Sequence, residues 1–350
     1  MNAVSAAAPV NIPALDIDPF CEAFFADPYP VHEALRNAGP LVWLPRYGVA
    51  AVARHEEVRQ VLADLATEGR FRLPSLLLEA DPPTHDRARR VMNKALSAGV
   101  MKRLRERFAG VAQSMVQELL ERRECDAIAH LAEAFPLRVF PDAIGMQREG
   151  RDNLLPYGDM VFNSFGPENK LFAESAPRAA TAFPWVRSQA LRENLAADGF
   201  GMIIYEAADC GEISEEEGAI LVRGMLAAGV DTTVNGIGAA LYCLLNHPVQ
   251  WNTLRANLSL ARAAFEEAIR LESPVQTFFR TTTGRAELAG AVLAAGQKVL
   301  TFLGAANRDP RKWDRPNEYD IERVTAGHVG FGVGIHVCVG QSRASKERPY

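Results

Sequence analysis

The stretch Phe331-Gly332-Val333-Gly334-Ile335-His336-Val337-Cys338-Val339-Gly340 decides how the rest of the chain is interpreted. Its three glycines allow backbone conformations and close approaches that a Cβ would block, so the segment can fold tightly around the sulfur of Cys338. Backbone N–H groups in such a loop favour a thiolate. One cysteine cannot build a tetrahedral zinc site, but it can supply the single axial ligand of a haem. The alternative is a buried cysteine in an ordinary turn.

This stretch resembles the haem-binding loop of the cytochrome P450 family, whose pattern F-x-x-G-x-x-x-C-x-G it matches at every position. The resemblance implies haem b (iron protoporphyrin IX) as the cofactor and Cys338 as the ligand of its iron. Phe331, Gly332 and His336 would be further haem contacts. For the fold, it implies a chain that is mainly α with small β-sheets (α+β), the cytochrome P450 fold, as one large domain over residues 1–350.

The composition is that of a globular protein able to bury a large core, with 48% hydrophobic and 23% charged residues among 350. The net charge of −5 argues against general nucleic-acid binding. The five cysteines are widely spaced without a C-x-x-C pair, which indicates a reducing, cytoplasmic location. The first twenty residues have neither a basic segment nor a long apolar run, so we expect no signal peptide and no membrane anchor. We expect a monomer.

Residues 1–30 carry prolines at positions 9, 13, 19, 28 and 30, which predicts an irregular N-terminal arm. Beyond the arm, the apolar spacing predicts a helix over 29–37, a strand pair at 41–44 and 48–53, and a helix over 55–66. Further helices are predicted over 109–123, 127–139 and 202–208.

Pro82 and Pro83 predict a helix that starts just beyond them. In that helix His85 and Arg89 lie four residues apart on one face, where both can reach one anion, although a solvated pair is the commoner explanation of such spacing. The pair resembles the H-x-x-x-R of the P450 family, which implies that both residues hold a haem propionate.

The same region is strongly basic, which indicates either a solvated face or a surface that steers an acidic partner. The resemblance implies that an acidic ferredoxin, itself served by a ferredoxin reductase, docks here. The basic residues are Arg87, Arg90, Lys94, Lys102, Arg103, Arg105 and Arg107.

The stretch 220–245 is apolar nearly all round, as expected of a helix buried in a large domain. Gly229, Asp231 and Thr232 are unusual in it, and we expect them to break the helical hydrogen-bond ladder locally. The alternative is a polar kink satisfied by packing. The segment resembles the family's A-G-x-D-T motif, which implies that Asp231 and Thr232 are catalytic and deliver protons during activation of O2.

Glu267 and Arg270 stand three residues apart in a helical stretch and predict an ion pair. They resemble the family's E-x-x-R, which implies a structural role. Phe278 and Arg280 fall in a β-prone segment that resembles the strand lining the pocket, and the resemblance implies that Arg280 binds a haem propionate. The run 307–310 is similar to the family's N-R-D-P.

The resemblance narrows to bacterial members of the family that hydroxylate or O-demethylate para-substituted benzoates such as 4-methoxybenzoate. It implies a small aromatic carboxylate as substrate, with its carboxylate bound by Arg72, Ser75 and Arg223. The aromatic wall would consist of Phe162, Phe165 and Phe278, which as aromatic residues at helical or strand spacing could equally be core. Serines are expected after Arg223, where this chain has Gly224 and Ala227, so we expect weaker binding or a different aromatic acid.

The function implied is a haem-dependent monooxygenase that uses ferredoxin electrons. Two departures from the family argue for an alternative, an inactive haem-binding or apo remnant. The loop after Ala66 is shorter than in relatives of this type. Residues 341–350 are too short and too polar to form the helix and hairpin expected after Gly340, so we expect an atypical, truncated tail. A helical scaffold that binds a small molecule without haem is the third possibility.

Overall fold

The computed structural model of the protein describes residues 12–64 and 75–341. The helices are α1 (Glu22–Ala26), α2 (Tyr29–Ala38), α3 (His55–Asp64), α4 (Thr84–Ala95), α5 (Ala98–Leu120), α6 (Ala134–Ile144), α7 (Leu154–Asn163), α8 (Lys170–Gln189), α9 (Phe200–Asp209), α10 (Glu215–Asn246), α11 (Pro248–Ala256), α12 (Ala261–Glu272) and α13 (Leu303–Asn307). The strands are β1 (Val42–Leu44), β2 (Val49–Val52), β3 (Thr277–Thr281), β4 (Ala286–Leu288), β5 (Ala291–Leu293) and β6 (Lys298–Phe302). A π-helical segment (Ile128–Glu133) precedes α6, and a 3₁₀ turn (Gly334–His336) lies near the end.

The predicted strand pair and the helices on either side of it are confirmed, with β1 and β2 antiparallel. The expectation of an irregular arm over residues 1–30 is wrong at α1 and at the start of α2. The short helix α1 is stabilised by burial of Phe24, which is only 3% exposed. The Phe24 ring lies 6.3 Å from the Phe302 ring, measured between centroids. Pro28 lies at the N-cap of α2, where its missing N–H costs nothing.

The chain divides into two compact units, and the division falls within α10. In the first unit, which includes described residues 12–64 and 239–338, a four-stranded sheet has the order β1-β2-β6-β3. The central pair, β2 and β6, is parallel, while β3 and β6 are antiparallel. A two-stranded sheet of β4 and β5 completes the strands of this unit that the structure describes. Both central strands are buried, with Leu300 and Phe302 fully inaccessible.

The second unit includes described residues 75–238 and 339–341 and is helical. One large apolar core joins its helices, with Met92 of α4, Leu154 of α7, Ile204 of α9 and Leu226 of α10 all inaccessible to solvent. Helix α7 packs against α8, and α4 packs against α9. Across the described ranges of both units, none of the helices has the length and apolar character needed to cross a bilayer.

Helix α10 runs without interruption through Gly229, Asp231 and Thr232, so the expected break in its hydrogen-bond ladder is wrong. The polar side chains are accommodated within the helix, since Thr232 Oγ1 donates to Ala228 O at 2.7 Å. Gly229 does not distort the helix as predicted, and its role is steric. A Cβ at this position would stand 2.0 Å from Cζ of Phe140, so the glycine allows α6 and α10 to approach each other closely.

Candidate active site

The glycine-rich loop of the first unit holds Cys338 at its end. Gly332 and Gly334 adopt positive φ values of 72° and 78°, which turn the chain in a way that L side chains rarely permit. A Cβ on Gly334 would also stand 3.1 Å from Leu62 O. The Cys338 N–H donates to Phe331 O at 2.8 Å and closes the loop, leaving the thiol exposed.

The donor set fits a haem-thiolate site. Within residues 12–64 and 75–341, no three histidine, cysteine or acidic side chains gather where they could hold a metal ion together. Cys338 therefore has no cluster of further candidate ligands in these ranges, which suits the single-cysteine donor set of a haem-thiolate site and not the four ligands of a zinc site. A Cβ on Gly332 would have no heavy atom nearer than 3.8 Å, so its positive φ shapes the turn without tight packing around it.

Glu267 and Arg270 of α12 form the predicted ion pair, with Nε to Oε2 at 2.7 Å and Nη2 to Oε1 at 2.8 Å. Both side chains are fully buried. Arg270 Nη1 also donates to Asn307 O at 2.7 Å. The Asn307 side chain accepts from the N–H of Val329 at 2.8 Å, two residues before the loop begins. The pair is thus connected by hydrogen bonds to the segment that leads to Cys338.

Arg280 and Phe278 are neighbours on β3 of the same unit. The Arg280 guanidinium lies 5.1 Å from the centre of the Phe278 ring, a cation–π distance, and Arg280 is only 5% exposed. Its Nη1 donates to Phe279 O at 3.2 Å. In the same unit, His336 closes the 3₁₀ turn and is half-buried. Arg280, Phe278 and His336 remain predicted, untested contacts of haem and substrate.

In the second unit, the residue that faces Asp231 is Gly158 of α7. A Cβ on Gly158 would stand 3.1 Å from Asp231 Cβ, so the α7 backbone lies against this acid. Asn235 Nδ2 donates to Asp231 O at 3.0 Å and more weakly to its carboxylate at 3.4 Å. Burial, and to a lesser degree the charge of Asp159, raises the pKa of Asp231 to about 6. An acid with that pKa can hold and release a proton near neutral pH.

Three of the predicted substrate residues of this unit lie on or next to α7 and α10. The rings of Phe162 and Phe165 meet edge to face at 5.4 Å between centroids. Phe162 follows Gly158 by four residues and therefore lies one turn along the same face of α7. Arg223 of α10 hydrogen-bonds to Tyr157, and it opposes the effect of burial, which raises the pKa of that phenol to about 12.

The remaining predicted site residues are two for the substrate carboxylate, two for a haem propionate, and the basic residues of α4 and α5. Arg72 lies outside the described residues. The Ser75 hydroxyl accepts from the N–H of Leu78 at 3.2 Å, so it caps a turn in this structure. His85 and Arg89 both lie on α4, as predicted, with His85 only 1% exposed and its Nδ1 at 3.2 Å from Asp86. The predicted basic residues of α4 and α5 are mostly exposed.

No sequence pattern indicates the ion pair that adjoins Gly158, the residue facing Asp231. Asp159 is next to Gly158, and Arg178 of α8 pairs with it at 2.5 Å. The pair joins residues nineteen positions apart on different helices. Only the packing of α7 against α8 brings the two side chains together, so helical spacing could not have found the pair.

The similarity of this chain to known proteins extends over nearly its whole length. A family model described as cytochrome P450 matches residues 195–347. Cytochrome P450 CYP199A2 from Rhodopseudomonas palustris is 55% identical over 352 residues, covering 96% of this chain and 85% of that protein. Cytochrome P450 monooxygenase PikC from Streptomyces venezuelae is 30% identical, covering 96% of this chain and 84% of its own.

Solved structures agree with the predicted fold class. The structure of P450BioI in complex with an acyl carrier protein matches with a TM-score of 0.82 at 26% identity, covering 91% of this chain and 88% of that chain. CalO2 matches with a TM-score of 0.80 at 28% identity, covering 93% and 86%. The prediction of the P450 fold, mainly helical with small sheets, is confirmed. With a lone cysteine presented by a glycine-rich loop and relatives that span the chain, this protein belongs to the cytochrome P450 family of haem-thiolate monooxygenases.

Proposed function

We propose that this monooxygenase hydroxylates or O-demethylates a small aromatic carboxylate, with haem b held by Cys338 and electrons supplied by a ferredoxin. Haem bound there supplies the iron that activates dioxygen. His85, Arg89 and Arg280 are proposed to bind its propionates, with Phe331, Gly332 and His336 as further contacts. Asp231 and Thr232 are the residues proposed to act together in proton delivery.

The observation that carries the substrate proposal is the packing of α7 on α10. The contact of Gly158 with Asp231 puts Phe162 one turn away from the proposed acid. Arg223 lies on the same helix as Asp231 and reaches Tyr157 of α7. A cation and an aromatic wall supplied by the same two helices suit a flat acid whose carboxylate is held at one end.

Thr232 and Asp231 differ in readiness for proton transfer. Asp231, with its pKa raised to about 6 by burial, passes between the acid and the carboxylate near neutral pH. The Thr232 hydroxyl donates a hydrogen bond to Ala228 O, so it must rotate away from this carbonyl before it can donate to a reacting group. Asp231 is therefore the proposed proton source, and Thr232 the proposed hydrogen-bonding partner.

Replacing Arg223 with leucine is expected to weaken binding of 4-methoxybenzoate by about 10- to 100-fold, since a hydrogen bond to a charged group contributes about 1.5–3 kcal/mol. Binding of 4-methoxybenzamide, which has the same ring without the charge, should change little. The measurement is the spin-state shift of the haem on titration with each compound. The starting material is protein whose reduced, carbon-monoxide-bound spectrum has the thiolate signature.

Gly224→Ser is the reciprocal variant. A Cβ at Gly224 would meet nothing within 4 Å, so a serine fits and restores one of the hydroxyls expected after Arg223. It should strengthen binding of the benzoate and leave that of the amide unchanged.

Equal effects of Arg223→Leu on both compounds would contradict the carboxylate proposal. Purified protein that holds haem without forming product would favour the remnant, and protein without haem would favour the scaffold.

The proposed ferredoxin surface consists of the exposed basic residues of α4 and α5. Two of the predicted cations have acidic partners in their own unit: Arg87 pairs with Glu217 at 2.5 Å, and Lys94 with Glu212 at 2.6 Å. Arg90 is exposed between them on α4. The exposed cations of α5 that could extend this surface are Lys102, Arg103, Arg105 and Arg107.

Arg90→Glu is expected to slow the reduction of the haem by an acidic ferredoxin by about tenfold at low salt, with a flatter dependence on ionic strength. Arg90 is a better choice than Lys94, whose reversal would also break the ion pair with Glu212. Arg148→Glu makes the same change of net charge on an exposed loop beyond α6 and is the control. Stopped-flow reduction that is equally fast in Arg90→Glu and the parent would defeat the proposed docking surface.

A further inference from the structure

A second carboxylate lies beside the residue that touches Asp231. The backbone of α7 at Gly158 is directly against Asp231, and the next residue is Asp159. One oxygen of Asp159 is paired with Arg178 of α8 at 2.5 Å. The other accepts a hydrogen bond from Asn163 Nδ2 at 2.8 Å. Two partners therefore fix the Asp159 carboxylate one residue along the chain from the glycine that touches Asp231.

The surroundings of Asp231 make it responsive to this charge. Its pKa is raised to about 6, first by burial and then by the negative charge of Asp159. Its hydrogen-bond partner Asn235 is neutral. Among the described residues, Asp159 is the group whose charge raises the pKa of Asp231. Arg178 is the cation paired with Asp159.

We propose that Asp159 is a positioning residue for the acid at Asp231: held by Arg178 and Asn163, it keeps a negative charge beside Asp231 and sets how readily that acid holds a proton. This inference rests on the proposed role of Asp231 in proton delivery. Like charges that cannot both be ionised at low cost favour the protonated form of the more buried group. Arg178 moderates the effect because it neutralises part of the Asp159 charge.

The arrangement also makes proton uptake depend on salt. The side chains of Asp159 and Arg178 are 38% and 64% exposed, whereas Asp231 is half-buried. Dissolved ions therefore screen the charge of Asp159 more than a fully buried charge would be screened. The influence of Asp159 on Asp231 should decrease as the ionic strength rises.

The test is infrared titration of the haem-loaded protein carrying ¹³C-labelled aspartate, with Asp231→Asn used to assign the carboxylic acid band of Asp231. Asp159→Asn is expected to lower the midpoint at which Asp231 loses its proton by about half a pH unit. Arg178→Gln, which leaves the Asp159 charge unopposed, is expected to raise that midpoint. Asp159→Glu keeps the charge and should restore the parent midpoint.

Opposite shifts in the two variants, both reduced at high ionic strength, support the proposal, because loss of packing alone would not reverse sign between them. A midpoint that Asp159→Asn leaves unchanged, or that both variants move in the same direction, overturns it. The pH profile of product formation separates this inference from the proposed function. Infrared shifts without a matching shift in the profile would uphold the charge coupling and reject the role of Asp231 in turnover.

Discussion

Glu267→Gln is expected to lower the free energy of unfolding by about 3–5 kcal/mol, the usual cost of removing one partner from a buried ion pair. Glu267 and Arg270 are both fully buried, so the variant leaves the guanidinium charge without its carboxylate and without access to water. With an m value of about 3 kcal/mol/M, the midpoint of urea unfolding should fall by about 1 M or more. Circular dichroism of parent and variant protein with matched haem content measures this midpoint.

The buried pair is part of a larger network, and this sets it apart from an isolated ion pair. Glu267 Oε1 also accepts from Nε of Arg323 at 2.9 Å and from the N–H of Asp320 at 3.2 Å. Replacing both charges with apolar residues often restores stability at isolated buried pairs. It should not do so here, because the hydrogen-bonding groups that depend on the pair would stay buried and unsatisfied. The carbonyls that accept from Arg270 are those of Asn307, Pro316 and Glu318.

The chain provides a control with the same chemistry at the surface. Glu118 and Arg138 form a two-pronged pair with both N···O distances at 2.9 Å, but their side chains are 52% and 45% exposed. Water can replace the lost contacts, so Glu118→Gln should leave the unfolding midpoint almost unchanged. Similar midpoints for Glu267→Gln and Glu118→Gln would contradict the argument that burial makes the first pair essential.

Local patterns in the sequence were sufficient where the interacting residues are close in the chain. The Glu267 and Arg270 pair follows from helical spacing, and the turn around Cys338 follows from its glycines, two of which adopt positive φ. The strand pair β1 and β2 is joined by a short turn and follows from two apolar runs. In each case the physical cause acts within about ten residues.

Contacts between distant residues were not predictable in the same way. The seven cations of α4 and α5 assigned to a solvated or partner-steering face are not all solvated, since Arg87 and Lys94 have acidic partners 130 and 118 residues away. Gly229 illustrates the same limit. The sequence suggested a distorted helix, whereas the glycine is required by the ring of Phe140 on another helix. Only tertiary packing determines which distant side chain meets a given position.

His32 is the clearest case of a residue whose importance depends on tertiary burial. It lies on α2 with only 1% exposure, and its ring contacts the aromatic rings of Phe24 and Phe302 at 5.6 and 6.0 Å. Among the described residues, neither of its ring nitrogens has a hydrogen-bond partner. Burial, together with the positive charges of Arg36 and Arg308, lowers the pKa of His32 to about 3.

The lowered pKa makes the folded state sensitive to acid. In the unfolded chain the imidazole has its ordinary pKa of about 6.5 and takes up a proton below that pH. In the folded state the imidazole stays neutral down to about pH 3. The free energy of unfolding therefore decreases as the pH falls from 6.5 toward 3. The expected slope is about 1.4 kcal/mol per pH unit, which amounts to about 2 kcal/mol at pH 5.

His32→Phe is therefore expected to gain stability relative to the parent as the pH falls, with a difference that grows by about 2 kcal/mol between pH 6.5 and pH 5. Phenylalanine fits the aromatic surroundings and has no proton to gain. Phe24→Leu changes the packing of the same cluster without removing a titratable group, so its cost should be equal at all pH values. Urea unfolding of the three proteins at several pH values measures the differences. If the stability of His32→Phe parallels that of the parent across this range, the buried imidazole does not cause the acid sensitivity.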